Sequence, residues 1–268
     1  MVRYLQRFVQ KYIMKKLVLL FLILTSVTTF SQKKEFAYET GEWLKYRIHY
    51  GIINAGYASI TVDEIKNDSV DSYYFKGKGW TTGMASWFFK VRDTYESIVD
   101  KKTELPSHFI RRVNEGGYII NRDTYFDHEK KIARVEDHKH KTKKEVEAVG
   151  VQDMISAFYT LRNKKFDSLK KGESVDLKMF FDAKTFPFKL KFLGKEKVST
   201  KFGKINCYKL RPIVQSGRVF KEKESLTMWV SADENKVPIR IKADLAVGSL
   251  KVDLHEYKGL SHPFYTIL

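Results

Sequence analysis

The sequence predicts an all-β protein, mainly antiparallel, built as one large curved sheet (a barrel or half-barrel) with one or two short helices. Three observations lead there. Apolar residues recur at every second position through most of the chain, turn-forming residues interrupt them at short intervals, and only two stretches leave this period. Period-two alternation puts apolar and polar side chains on opposite faces of a strand. Leu44, Tyr46, Ile48 and Tyr50 alternate with Lys45, Arg47 and His49, and Ala58, Ile60 and Val62 alternate with Ser59, Thr61 and Asp63. Phe186, Phe188, Leu190 and Phe192 alternate with Pro187, Lys189 and Lys191; similar stripes run over Val175–Phe181, Leu226–Val230 and Leu250–Leu254. One apolar and one charged face predicts an antiparallel sheet covered on one side, with the Phe186–Phe192 stripe facing the interior.

Turn signals separate these runs at Glu115-Gly116-Gly117, Lys171-Gly172, Leu193-Gly194-Lys195, Phe202-Gly203-Lys204 and Asp233-Glu234-Asn235. About a dozen hairpin-linked strands follow. A sheet of that size must curl or close, because a flat one exposes long edges. Asp153 to Leu161 spaces Met154, Ile155, Phe158 and Leu161 as a helix, with Asp153 as its cap, lying across the concave side or plugging an end. The second irregular stretch, Thr82 to Lys90, is short, very apolar and carries a glycine. With no linker composition and no repeat, residues 32–268 read as a single domain.

Residues 1–31 read as a signal peptide. Met14-Lys15-Lys16 precedes an apolar run from Leu17 to Leu24, too short to anchor in a bilayer, and Thr29 and Ser31 precede a cut that makes Gln32 the mature start. Met14 is then a second candidate initiator. No cysteine stands at the cut, which argues against a lipid anchor and for the periplasm. The chain carries a net charge of +17, and losing Arg3, Arg7, Lys11, Lys15 and Lys16 with the leader lowers it to +12. A basic envelope protein suits anionic lipid headgroups; export argues against nucleic acid. The single cysteine, Cys207, lies in an alternating segment and reads as a small core side chain.

Enzyme chemistry finds no support. The chain lacks a phosphate-cradling glycine loop, a nucleophile elbow and a zinc-protease helix motif, and no cofactor is implied. Asp63 and Glu64 are adjacent on a strand and point apart, which suits no acid–base pair. His138 and His140, near His128 and Asp137, have the spacing of metal ligands but sit in a lysine-rich connection, so no metal is expected there. Gly77 and Gly79 in a strand relieve a bend or admit a neighbouring layer. The aromatic cluster Trp80, Met84, Trp87, Phe88 and Phe89 has two readings: the wall of an apolar ligand cavity, or a plug that closes the core.

Gly41-Glu42-Trp43-Leu44-Lys45-Tyr46-Arg47-Ile48-His49-Tyr50-Gly51, with Asn54-Ala55-Gly56-Tyr57-Ala58, resembles the opening of a bacterial family catalogued only as a domain of unknown function, number 3108. Asp153 to Arg162 resembles that family's Asp-x-x-Ser-x-Phe-Tyr-x-x-Arg segment, and Trp229-Val230-Ser231, Asp233, Pro238, Arg240 and Gly248-Ser249-Leu250 continue the likeness in order. The resemblance implies exported β-rich proteins of Gram-negative bacteria without established activity, and supplies no catalytic residues. The Trp229 to Arg240 hairpin is also similar to one in periplasmic lipoprotein-carrier half-barrels, whose concave face holds acyl chains. The expectation is a non-catalytic binding or carrier protein for a lipid-like envelope ligand. The alternative is a scaffolding partner of an envelope complex with a fully packed barrel. N-terminal sequencing of the protein recovered from the periplasm should begin near Gln32; an intact Met1 or Met14 terminus in the membrane fraction would refute the leader.

Overall fold

The computed structural model describes residues 36–66, 70–213, 226–245 and 247–267; the expected leader and its cut lie outside them. The first eight strands are β1 (Trp43–Tyr50), β2 (Ile53–Ile65), β3 (Ser72–Thr81), β4 (Arg92–Asp100), β5 (Pro106–Glu115), β6 (Tyr118–Asp127), β7 (Ile132–Asp137) and β8 (Thr142–Glu147). Six follow: β9 (Ser174–Phe181), β10 (Lys184–Thr200), β11 (Gly203–Ile213), β12 (Leu226–Ser231), β13 (Pro238–Asp244) and β14 (Ser249–Lys258). Helix α1 (Gly83–Phe88) joins β3 to β4, and α2 (Met154–Arg162) lies between β8 and β9.

All fourteen strands belong to one antiparallel sheet in the order β8-β7-β6-β5-β4-β3-β2-β1-β14-β13-β12-β11-β10-β9. Each strand pairs with its sequence neighbour except at one place. β1 pairs with β14, while β8 and β9 end the sheet on either side of a seam. The chain leading into α2 lines that seam: the Gln152 amide donates to Lys178 O, and the Phe180 amide donates to Gln152 O, each at 2.8 Å. The sheet curls around α2, which touches β3 and β4 on one side and β9 on the other. The all-β curved sheet expected from the alternation is the fold observed.

Helix α2 starts where the sequence places its cap. Asp153 Oδ1 accepts from the Ile155 and Ser156 amides at 2.8 and 2.9 Å, and the Asp153 amide donates to Ser156 Oγ at 2.8 Å, a reciprocal capping box. Ser97 Oγ of β4 donates to Asp153 Oδ2 at 2.6 Å, which ties the cap to the wall. Ile155 and Tyr159 enter the main core, where the Tyr159 ring stacks on Phe75 at 3.9 Å. At the other end Arg162 is buried and bonds bidentately to buried Glu42, Nη1 to Oε1 at 2.5 Å and Nη2 to Oε2 at 2.7 Å. Its remaining donors reach Asn235 O at 3.0 Å and Ala37 O at 2.8 Å. The rings of Tyr38 and Tyr159 lie 5.5 and 5.4 Å from the guanidinium.

The expectation of a sheet covered on one side fails over β10–β12. Cys207 and Trp229 belong to the main core, but their neighbours Tyr208 and Val230 join Phe166, Leu190, Phe192 and Leu210 in a second core on the opposite face. The segment after α2 that carries Phe166 and Leu169 covers it. The Phe186–Phe192 stripe accordingly faces this second core through Phe188, Leu190 and Phe192, not the interior around α2. Leu193-Gly194-Lys195, expected as a turn, is a bulge inside the 17-residue β10. Register shifts between Phe192 and Gly194, so Leu190 and Phe192 face one core and Val198 the other. Cys207 is fully buried, and burial pushes its thiol up to about 12, in keeping with a core side chain.

Two outcomes follow from α2. Glu42→Leu strands a buried guanidinium and should cost about 3–5 kcal/mol in urea denaturation, whereas Glu42→Leu with Arg162→Met should recover most of it. Burial pushes the Asp153 carboxyl up to about 6, against the hydrogen bonds from Ser97, Ser156 and Ile155. A raised carboxyl binds a proton on folding, so this stability is complete below its ordinary value of 3.8 and is lost as pH rises through about 6. Stability measured across that window should fall, and Asp153→Asn should flatten the slope.

Candidate functional site

The inward positions of β1–β4 carry a mixture of large and very small side chains. Gly79 pairs with Ala58 and Gly77 with Ile60 across β2 and β3. A Cβ at Gly77 would lie 3.3 Å from Ile155 Cδ1, so this glycine admits α2, as a strand glycine admitting a neighbouring layer should. A Cβ at Gly79 would meet nothing within 4 Å. The space in front of it is a cavity of about 260 Å³, lined almost wholly by apolar atoms. Ile155 and Phe158 of α2 form its floor; Ile241 of β13 and Val252 of β14 complete the wall on the far side of β1.

Besides Ser59 and Lys78, whose side chains alternate with the inward positions of their strands, three polar residues line it. Tyr46 is buried, and its hydroxyl has no hydrogen-bond partner among the described residues. Burial raises its pKa, which keeps the proton on and leaves a donor unused. Asp93 Oδ1 accepts the Asn114 amide at 3.0 Å. Burial, with Asp93 beside it, pushes Tyr95 up to about 12. The site can hold an apolar body; the Tyr46 hydroxyl is buried beneath its surface. Sequence reasoning missed it, although Gly77-x-Gly79 opposite Ala58 was its visible trace.

None of the five aromatic-cluster residues lines this cavity. Gly79 points inward, so Trp80 points outward, where it is half-buried against Tyr57 at 6.1 Å. Helix α1 buries none of its residues. Met84, Trp87, Phe88 and Phe89 are 62, 84, 87 and 53% exposed. The segment is therefore neither cavity wall nor core plug, because it lies beyond the strand ends in the β3–β4 connection. His138 and His140 lie within the β7–β8 turn and engage different carboxylates, His138 with Asp123 and His140 with Asp137. His128 Nε2 lies 2.7 Å from Pro106 O. The shared strand face that one ion would need is not formed.

The sequence profile of a family described as proteins of unknown function, DUF3108, matches residues 45–255. The chain belongs to that family. The matched span includes every residue that lines the cavity of this DUF3108 chain. No curated protein matches it. Among solved structures, it is similar to a β-barrel-like protein of domain of unknown function DUF1849 from Brucella abortus, with a TM-score of 0.55 at 10% identity. That likeness covers 82% of this chain and 98% of the other, and it concerns the fold. A protein titled as a candidate lipoprotein from Parabacteroides distasonis aligns over 85% of this chain and all of its own, at 13% identity and a TM-score of 0.32.

Because Trp87 is exposed, Trp87→Ala should shift the denaturant midpoint by no more than about 0.5 kcal/mol equivalent. A loss of several kcal/mol would restore the plug.

Proposed function

We propose that this protein is a non-catalytic binding or carrier protein of the periplasm, and that its cavity takes the apolar part of a lipid-like envelope molecule. The observation that carries the reading is the apolar space in front of Gly79, floored by α2. Its volume of about 260 Å³ is just under the span of roughly 300–1,000 Å³ usual for small-molecule sites. An acyl chain is slender, and the opening lets part of it remain outside. Export rests on the leader-like residues 14–31. The scaffold alternative needs a filled interior, and the cavity favours the carrier over it.

Solvent extraction and mass spectrometry of the protein purified from the periplasm should recover a lipid in stoichiometric amount. A fluorescent fatty acid should bind the emptied wild type. Gly79→Leu should abolish that binding with the thermal midpoint unchanged or raised, since the new side chain enters open space. A wild type that yields no lipid and binds no apolar probe would refute the carrier.

A further inference from the structure

Four adjacent hairpin connections at the α1 end of the sheet expose large apolar side chains: β13–β14, β1–β2, β3–β4 and β5–β6. Their outermost residues are Val247 at 78% exposure, Ile52 at 95%, Trp87 at 84% with Phe88 at 87%, and Tyr118 at 62%. Single exposed apolar residues are ordinary on a protein surface; a row of them on consecutive tips is not. The tips are fastened together. Tyr50 Oη donates to Val247 O at 2.7 Å, the Thr82 amide to Ala55 O at 3.1 Å, and the Gly116 amide to Lys90 O at 2.9 Å. The Phe89 ring lies so close over Gly116 that a Cβ there would be 2.6 Å from it. The row is a built rim and not four independent loops.

Charge identifies its partner. Lys78, Lys90 and Lys141 are exposed at this end and form no ion pair among the described residues. The carboxylates of the neighbouring tips are already engaged, Asp137 by Arg122 at 2.9 Å and Asp244 by Lys242 at 2.7 Å. Aromatic and aliphatic side chains at the extremities with free lysines behind them match the layering of a membrane interface, hydrocarbon first and anionic headgroups next.

We propose that this rim is a docking surface for an anionic phospholipid bilayer, with Trp87, Phe88, Ile52 and Val247 entering the acyl–headgroup boundary. The cavity lies on the same side, since Gly79 is two residues from the end of β3 and Asp93 is the second residue of β4. Docking thus presents the cavity to the lipid layer. It extends the carrier reading but does not require the cavity to be filled.

The test is co-sedimentation of the purified mature protein with vesicles of phosphatidylcholine alone or of phosphatidylcholine mixed with phosphatidylglycerol. The wild type should bind the mixed vesicles, and added salt should weaken binding. Trp87→Ala with Phe88→Ala should weaken partitioning about tenfold or more with the denaturant midpoint unchanged. Trp87→Phe should retain binding but lose the quenching of tryptophan emission by brominated lipid. Gly79→Leu separates the two proposals: it should leave vesicle binding intact while fatty-acid binding is lost. Failure of the wild type to bind either vesicle would overturn the proposal. So would binding that the double variant does not weaken, which would mark adsorption by basic charge alone. A dimer in solution that dissociates in the double variant would likewise overturn it, by making the rim an interface between copies.

Discussion

A guanidinium with no access to water must have its donors answered, and three separate parts of the chain converge on Arg162 to do so. Glu42 before β1, Ala37 in the entering segment and Asn235 in the β12–β13 turn each supply an acceptor. Asn235 in turn holds the exit of the chain: its Nδ2 donates to His262 O at 2.9 Å and Pro263 O at 3.1 Å. Removing one charge from such a buried pair leaves the other uncompensated, so the pair fixes geometry more than it adds stability. The C-terminal end of α2 is pinned here, and its N-terminal end is pinned to β4 through Asp153 and Ser97. With both ends held, the depth of Ile155 and Phe158 is set, and with it the floor of the cavity.

The two ends of the curled sheet thereby differ in chemistry. One is sealed by charged and amide groups fully bonded to one another. The other carries the cavity and a rim of apolar tips. The inward face between them changes from Phe75 and Tyr38, which pack on Tyr159 of α2, to the neighbouring Ala58 and Gly79, too small to fill the space before them. The carrier reading depends on this change of side-chain size along the strands, because close packing throughout would leave no space.

Much of the fold was legible because strand period and helix caps are local signals. Asp153 and Ser156 announced α2, and alternating Leu44, Tyr46, Ala58, Ile60 and Val62 announced which face of β1 and β2 turns inward. The second core was not legible. A bulge at Gly194 reverses facing within one strand, and a glycine that bulges reads the same as one that turns. The cavity was partly legible in Gly77 and Gly79, whose different roles depend on whether α2 reaches them, a tertiary fact. The aromatic cluster was visible as a cluster, but nothing within a six-residue helix says whether it folds in or out. The side of the sheet to which it belongs follows only from the inward facing of Gly79.

The sheet order has a consequence for how the chain is made. β1 lies between β2 and β14, so the first strand synthesised keeps one edge open until the last has emerged, with Trp43 meeting Lys258. Contacts this far apart in sequence make closure a late and slow event. A polypeptide that must cross a membrane as an extended thread benefits from such a delay. Its hairpins can form and dissolve locally, yet the interior cannot seal before β14 is available to pair with β1. For the exported carrier proposed above, connectivity that postpones completion would keep the chain threadable during transport.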